Sequence, residues 1–301
     1  MQVNLTTFKE YILMRRDAFE HKYGLVELNN RPLARRHYPN NLKYLDDMSQ
    51  VMIRTLNNHP VPLRDKLLTV LIYRLVGDTT IVRRYSNKKE VFELQDLHKL
   101  AKYLNRETTI VENKYHTPLT RTGITGLARG EFLLAVACDF LDKLPKDNFY
   151  RWKTSEIARH FYEFEKVYGI KYATAYQLAS DFSYINELEV RIDFIPCVPD
   201  SARDMYKQIT GRSYSTKAYK EFTQVIMDWY VEQRFLDNKE RLILPHDVTQ
   251  MLIGYRYFTF NQKGVLTRLR EDSKVKRRIN GLVIARSMYD YYKKEVDSEK
   301  D

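Results

Sequence analysis

The chain has 301 residues, of which 44% are hydrophobic and 30% charged, and its 50 Lys and Arg against 39 Asp and Glu leave a formal charge of +11. Such a composition excludes a disordered chain and allows one large core or two ordinary ones. No apolar run approaches the ~20 residues of a bilayer span, and the N-terminus lacks the basic start and apolar core of a signal peptide, so a cytoplasmic location is expected.

The apolar spacing predicts one helix after another. The first covers 6–24, from a Thr cap to a stop at Gly24. A second covers 40–58, with Leu42, Leu45, Met48, Val51, Met52, Ile53 and Leu56 on its apolar side. The segment 62–78 is apolar almost throughout and reads as a buried helix. An amphipathic helix follows over 89–107, then a buried one over 130–145 that Pro145 stops. Residues 154–169 lead directly into "GIKYATAYQLASDFSY", where Gly169 permits a turn and Ile170, Ala173, Thr174, Ala175, Leu178, Ala179 and Phe182 follow at helical spacing. Late helices are expected over 216–236, 246–258 and 279–297. Only 108–113 and 187–196 have strand character. The expectation is a mostly α fold with few short strands. It forms a single helical domain, with two lobes, 1–115 and 116–290, on either side of a cleft, and a frayed tail at 291–301.

Several chemistries are absent. There is no phosphate-binding GxxxxGK[ST] loop, no GxGxxG, no HExxH and no GxSxG. Cys138 and Cys197 stand far apart, and the seven histidines are scattered, so neither a metal nor a disulfide framework is expected. The positive charge and the 23 tyrosines point to a polyanionic partner with exposed bases. "RPLARRHYPNNLKYLDDMSQ" places Arg31, Arg35, Arg36 and Lys43 ahead of Asp46 and Asp47. That is either a solvated, salt-bridged face or a phosphate clamp with an acid beside it. Arg74 lies inside "LLTVLIYRLVGD", where a guanidinium needs a partner, a polar cavity or a route to solvent. Asp181 ends an apolar helix, and Asp193 stands where the chain enters a proline-rich loop. Each is a candidate general base, and Asp193 is equally a candidate turn cap.

Taken together, "YPNNLKYLDDMSQ", "IYRLVGDTT", "GIKYATAYQLASDFSY", "DFIPCVPDSARD" and "HDVTQMLIGYRYF" resemble the α-glutamyl/putrescinyl thymine pyrophosphorylase family. These are phage amino-acid:DNA transferases, similar in turn to helix-hairpin-helix DNA glycosylases. The resemblance is spread over roughly residues 8–260. It implies a helix-hairpin-helix glycosylase-like fold and a transferase that moves an amine or amino acid onto pyrophosphorylated 5-hydroxymethyluracil in DNA. It carries over Asn40, Lys43 and Asp46, the pair Tyr73 and Arg74, then Ala175, Tyr176, Gln177, Asp181 and Tyr184, then Asp193 and Phe194, and finally Asp247, Tyr255 and Tyr257. The chain departs from the family at Lys171, which replaces the second hairpin glycine, in "CVPDSAR", and at Thr249 in place of a Glu.

On that resemblance Gly169 and Lys171 meet a DNA phosphate at a helix start, and the target base is extruded from the stack. Arg35, Lys43 and Arg74 hold the pyrophosphate, with Asn40 and Gln177 beside the substrate. Asp181, Asp193 and Asp46 are the acids, Tyr176 flanks the base, and no cofactor is called for. Two other readings stay open: a glycosylase-like enzyme on a modified base, and a non-catalytic DNA-binding subunit, to which the departures from the family point.

Overall fold

The computed structural model describes residues 3–22, 41–77, 82, 91–106, 128–143, 151–170, 172–233 and 243–262. The fold is mostly α. In chain order the helices are α1 (Leu5–Lys22), α2 (Asp47–Asn58), α3 (Leu63–Val76), α4 (Leu94–Arg106), α5 (Arg129–Asp142), α6 (Thr154–Glu163), α7 (Glu165–Tyr168), α8 (Tyr172–Phe182), α9 (Asp200–Thr210), α10 (Thr216–Glu232) and α11 (Pro245–Gln262). A short 3-10 turn, Lys43–Leu45, precedes α2. The segments expected at 108–113 and 279–297 lie outside the described residues. Over 187–196 the expected strand is reduced to one parallel bridge, Lys153 to Arg191.

The described residues pack as two compact units. One combines those up to Asp46 with those from Val198 onward, and the other runs from Asp47 to Cys197. The units therefore divide the sequence at 46/47 and 197/198, where the sequence reading had placed a lobe boundary at 115/116.

In the first unit α11 packs against α9, α10 and α1. The start of α1 is capped by Asn4 and not by a threonine: Asn4 Oδ1 accepts from Thr7 N at 3.0 Å, and Thr7 Oγ1 accepts from Asn4 N at 3.1 Å. This reciprocal pair satisfies two of the donors that a helix start leaves open. The interior is aromatic. Tyr11 meets Tyr255 and Phe258 at 5.3 and 5.2 Å between ring centroids, and Tyr206 meets Tyr219 at 5.4 Å. Helix α9 was not expected from the sequence. Pro199 enters it with φ −58°, Gly211 closes it with φ +68°, and Ala202, Met205, Tyr206 and Ile209 bury one face.

In the second unit α8 packs on α6 and α3, α4 packs on α5, and α3 also touches α2 and α5. Helix α3 is buried from Lys66 through Val76 and is stopped by Gly77 in a left-handed conformation. Phe140, Phe161 and Phe182 form one stack, with Phe140 and Phe161 nearly parallel at 4.8 Å. The expected 40–58 helix is broken into the 3-10 turn and α2, because Asp46 takes an extended conformation between them. Gly169, with φ +65°, makes the turn between α7 and α8 as the sequence required.

The crossing of α4 and α5 depends on Gly130. A Cβ built there would lie 2.1 Å from the Ala101 carbonyl oxygen and 2.5 Å from its carbon, which are backbone atoms that cannot rotate aside. Gly130 N also donates to Asn105 Oδ1 at 2.7 Å, which ties the start of α5 to the end of α4. Gly130→Ala should therefore destabilise the protein by about 2 kcal/mol, as overpacking does. Urea denaturation reads this directly, and an unchanged midpoint would contradict so close a crossing.

Candidate functional site

The second unit assembles three of the sequence candidates into one buried network. Arg74 lies in the last turn of α3, while Gln177 and Asp181 are one turn apart on α8 and so share a face. Arg74 Nε donates to Asp181 Oδ2 at 2.5 Å, and Arg74 Nη1 donates to Gln177 Oε1. Arg74 is 5% exposed and Asp181 fully buried. The guanidinium thus meets the demand that its apolar sequence context raised, by finding a carboxylate. Removing one member of such a pair strands the other charge, at a cost of roughly 3–5 kcal/mol.

The surroundings of this network are tightly held. Tyr176 is buried, so in this conformation its ring is core and is not displayed at the surface. Tyr73 is likewise buried and meets Phe92 edge-on. The turn after α8 is fixed by Asn57, which donates to the Tyr184 carbonyl at 2.9 Å and accepts from Asn186 N at 3.1 Å. Lys66, buried on α3, pairs with Glu187. Sequence reading singled out neither Asn57 nor Lys66. Asn57 ends an amphipathic helix and looks like a simple stop signal there.

Asp193 serves the start of α6. Its Oδ1 accepts from Thr154 Oγ1 and from Ser155 N, both at 2.8 Å, and its Oδ2 accepts from Ser155 Oγ at 2.6 Å. Thr154 Oγ1 also accepts from Asp193 N at 3.0 Å. The carboxylate is a helix cap supplied from 39 residues away, held in place by the Lys153–Arg191 bridge two residues earlier. Sequence reading had raised capping of a following turn; the capped helix is the preceding α6.

In the first unit the acid that organises its neighbours is Asp247. Its Oδ1 accepts from Lys43 N at 2.7 Å and its Oδ2 from Leu244 N at 2.8 Å, so it ties the 3-10 turn to the start of α11. Lys43 is buried, and Asp46 closes the turn by donating its N–H to the Lys43 carbonyl at 3.1 Å. Burial pushes the Asp247 carboxyl up to about 7, with the two backbone N–H groups and the Lys43 charge pulling the other way. His246 beside it is held well below the usual histidine range, first by burial and then by Lys43. His246 lies in the core beside Asp247, at the start of α11.

Arg35, Asn40 and Lys171 lie outside the described residues. Gly169 is placed at the α7–α8 turn. The structure thus brings together Arg74, Gln177 and Asp181 in one unit and Lys43, Asp46 and Asp247 in the other, and sets Asp193 apart from the first group's bonds. Among the described residues no group of three or more His, Cys, Asp or Glu is arranged to hold a metal ion, and no helix is long and apolar enough to cross a membrane. Comparisons with family models, with curated proteins and with solved structures find no match.

Two expectations follow from these bonds. Asp193→Ala should lower stability by about 1–2 kcal/mol through the lost cap, with amide exchange accelerated in the first turn of α6 ahead of α3. Equal acceleration in both helices would deny the local role. For Asp247 the folded carboxyl has the raised pKa, so the folded state holds its proton more tightly than the unfolded chain. Its contribution is fully present below about pH 4 and is lost as pH rises through about 7. Wild type should lose stability relative to Asp247→Asn between pH 5 and 8, and parallel stability curves over that range would refute the assignment.

Proposed function

We propose that this protein is a DNA base-modifying transferase that joins an amine or amino acid to pyrophosphorylated 5-hydroxymethyluracil in DNA, on a helix-hairpin-helix framework. The observation that carries the reading is the convergence of Arg74, Gln177 and Asp181. These residues are 103 and 107 positions apart in sequence and meet in one buried network. All three stand at positions that the sequence resemblance selects. The net charge of +11 and the helix–turn–helix joint at Gly169 add support, since a polyanion and a phosphate at a helix start are what they would serve.

In the proposed reaction the amine nitrogen attacks the exocyclic methylene carbon. The carbon–oxygen bond to pyrophosphate breaks, the electron pair leaves with pyrophosphate, and a base takes the surplus amine proton. Arg74 supplies positive charge to the leaving group. Asp181 keeps the guanidinium in one orientation, which makes it a positioning residue. Gln177 belongs to the base-binding side. Gly169 and Lys171 serve the DNA backbone. The protein acts in the host cell cytoplasm.

A second reading, a non-catalytic DNA-binding subunit, is favoured by one observation: Asp181 and Asp193 are both engaged in structural bonds. A glycosylase-like activity on a modified base is the third outcome.

Mass spectrometry of nucleosides separates them. DNA containing pyrophosphorylated 5-hydroxymethyluracil, incubated with the protein and a pool of amines and amino acids, should yield a thymidine derivative heavier by one amine. Arg74→Gln should lower kcat/KM by about 10²-fold or more while binding DNA with the wild-type salt slope. Free base would establish the glycosylase, and unaltered DNA that still binds would establish the subunit. Affinity independent of salt would end all three nucleic-acid readings.

A further inference from the structure

Positive charge in the first unit gathers at the corner between α9 and α10. From Met205 to Lys220 the chain carries Lys207, Arg212, Lys217 and Lys220 and no acid, and all four cations are exposed. The carboxylates of α9 are turned to other partners, Asp200 to Arg203 at 3.9 Å and Asp204 to Arg256 at 3.8 Å. Glu221 ends the run, and among the described residues none of the four cations has a carboxylate oxygen within 4.0 Å. The corner is also stiff. Tyr206 at the end of α9, Tyr214 in the connection and Tyr219 in α10 meet as three rings, Tyr206 lying 6.5 Å from Tyr214 and 5.4 Å from Tyr219, with 5.6 Å between the last two. Arg203 lies over the Tyr214 ring at 4.7 Å, Gly211 N donates to the Lys207 carbonyl at 2.9 Å, and Ser215 Oγ accepts from Ala218 N at 3.2 Å. The backbone that carries the cations is thus ordered before any partner arrives, which lowers the cost of binding.

A run of cations without an anion favours a polyanion. Three partners have that character: a nucleic-acid backbone, an acidic protein surface and an anionic membrane. A protein interface rests on buried aromatic or apolar anchors, and a helix lying on a membrane inserts apolar side chains. The corner offers neither. The exposed large apolar residues among those described are Leu5, Val167, Val225 and Val231, and none of them falls within the run. What the corner presents is donors: the four cations, and beside them the exposed hydroxyls of Ser213 and Thr216. Such groups take phosphate oxygens along a nucleic-acid backbone, and contacts of that kind carry no sequence information. The first turn of α10 contains no acid, so the positive end of that helix adds to the same field.

We propose that the α9–α10 corner is a docking surface for the sugar–phosphate backbone of DNA, separate from the turn at Gly169 that the transfer reading uses. The inference rests on that reading for the choice of DNA as the polyanion, and it adds a surface that the first unit carries by itself. Lys207, Arg212, Lys217 and Lys220 each neutralise a phosphate there and release its counterions, so the grip is the same on every sequence. The corner therefore holds unmodified DNA as well as modified DNA.

The test is fluorescence anisotropy of a short labelled duplex of unmodified DNA with the full chain, between about 50 and 200 mM salt. The slope of log K against log salt should become shallower by about 0.9 for each cation removed, and by about 3.6 for Lys207→Gln, Arg212→Gln, Lys217→Gln and Lys220→Gln combined. The four side chains are exposed, so the helical circular dichroism should stay at the wild-type level. Amide exchange of the wild type gives a second reading that needs no variant: the duplex should slow exchange over 205–220. A combined variant with the wild-type slope overturns the proposal, as does exchange slowed in the second unit alone. Poly-L-glutamate that displaces the duplex at equal charge concentration also overturns it, in favour of an acidic protein partner, and anionic vesicles that do so overturn it in favour of a membrane. The transfer reading is judged separately. A steep slope that the combined variant leaves intact keeps DNA as the partner and removes this surface. A slope that the variant flattens, with no nucleoside product from modified DNA, keeps the surface and removes the transferase.

Discussion

A guanidinium buried among leucines fixes much of the second unit. Arg74 is bonded to Asp181 and Gln177, and both are presented by α8. Helix α8 must therefore lie on α3 in one register, because a rotation by a single residue would leave a charge in the core without its partner. The α6 contact then follows. Its aromatic residue Phe161 meets Phe182 of α8 at 5.4 Å and Phe140 of α5 at 4.8 Å, so one stack of rings fills the space behind the ion pair. Packing supplies the bulk of the stability and the ion pair selects the alignment. Hydrophobic contact between smooth helix faces would tolerate several alignments.

The first unit uses a carboxylate for a similar purpose by other means. Asp247 has no cationic side chain as its direct partner. It accepts two backbone N–H groups, one from its own helix start and one from the 3-10 turn. A backbone donor moves only when the chain moves, so this bond sets the path of residues 43–46 against α11. Asp193 repeats the device in the second unit, where a segment with a single bridge to its neighbour is held by capping α6. In all three cases an acid decides where an element sits, and apolar burial then makes the position stable.

The legible parts of the sequence were those where periodicity and a stop signal agree. Helix α3 is apolar on every side and ends at Gly77, and α8 follows a glycine whose positive φ was foreseeable. Helix α9 was missed because "PCVPDSARD" reads as a proline-rich loop. Two prolines hid the fact that the second is the entry to a helix, with Asp200 in its first turn and Gly211 at its end. The 40–58 stretch was read as one helix because its apolar residues keep the right spacing. The break at Asp46 follows a turn whose Lys43 N–H is bound by Asp247, about two hundred positions away, and no local pattern records that partner. The same limit applied at the site. Arg74 announced its need for a partner, but nothing near it in sequence said that Asp181 would be that partner. Asp193 was legible as a cap or a base, and only the fold shows which helix it caps.

The order of the units along the chain bears on how the protein is made. Helix α1 and the 3-10 turn belong with α9, α10 and α11, while the described part of the second unit is encoded between them. During synthesis at about 5–20 residues per second, the roughly 150 intervening residues take on the order of ten to thirty seconds to emerge. Throughout that interval Phe8, Tyr11 and Ile12 lack the α11 and α9 surfaces that later cover them. The described helices of the second unit are complete once Cys197 has left the ribosome, but those of the first are not. The nascent chain thus carries an uncovered aromatic helix, α1, until the last described helix arrives, and α1 is where a chaperone would be needed.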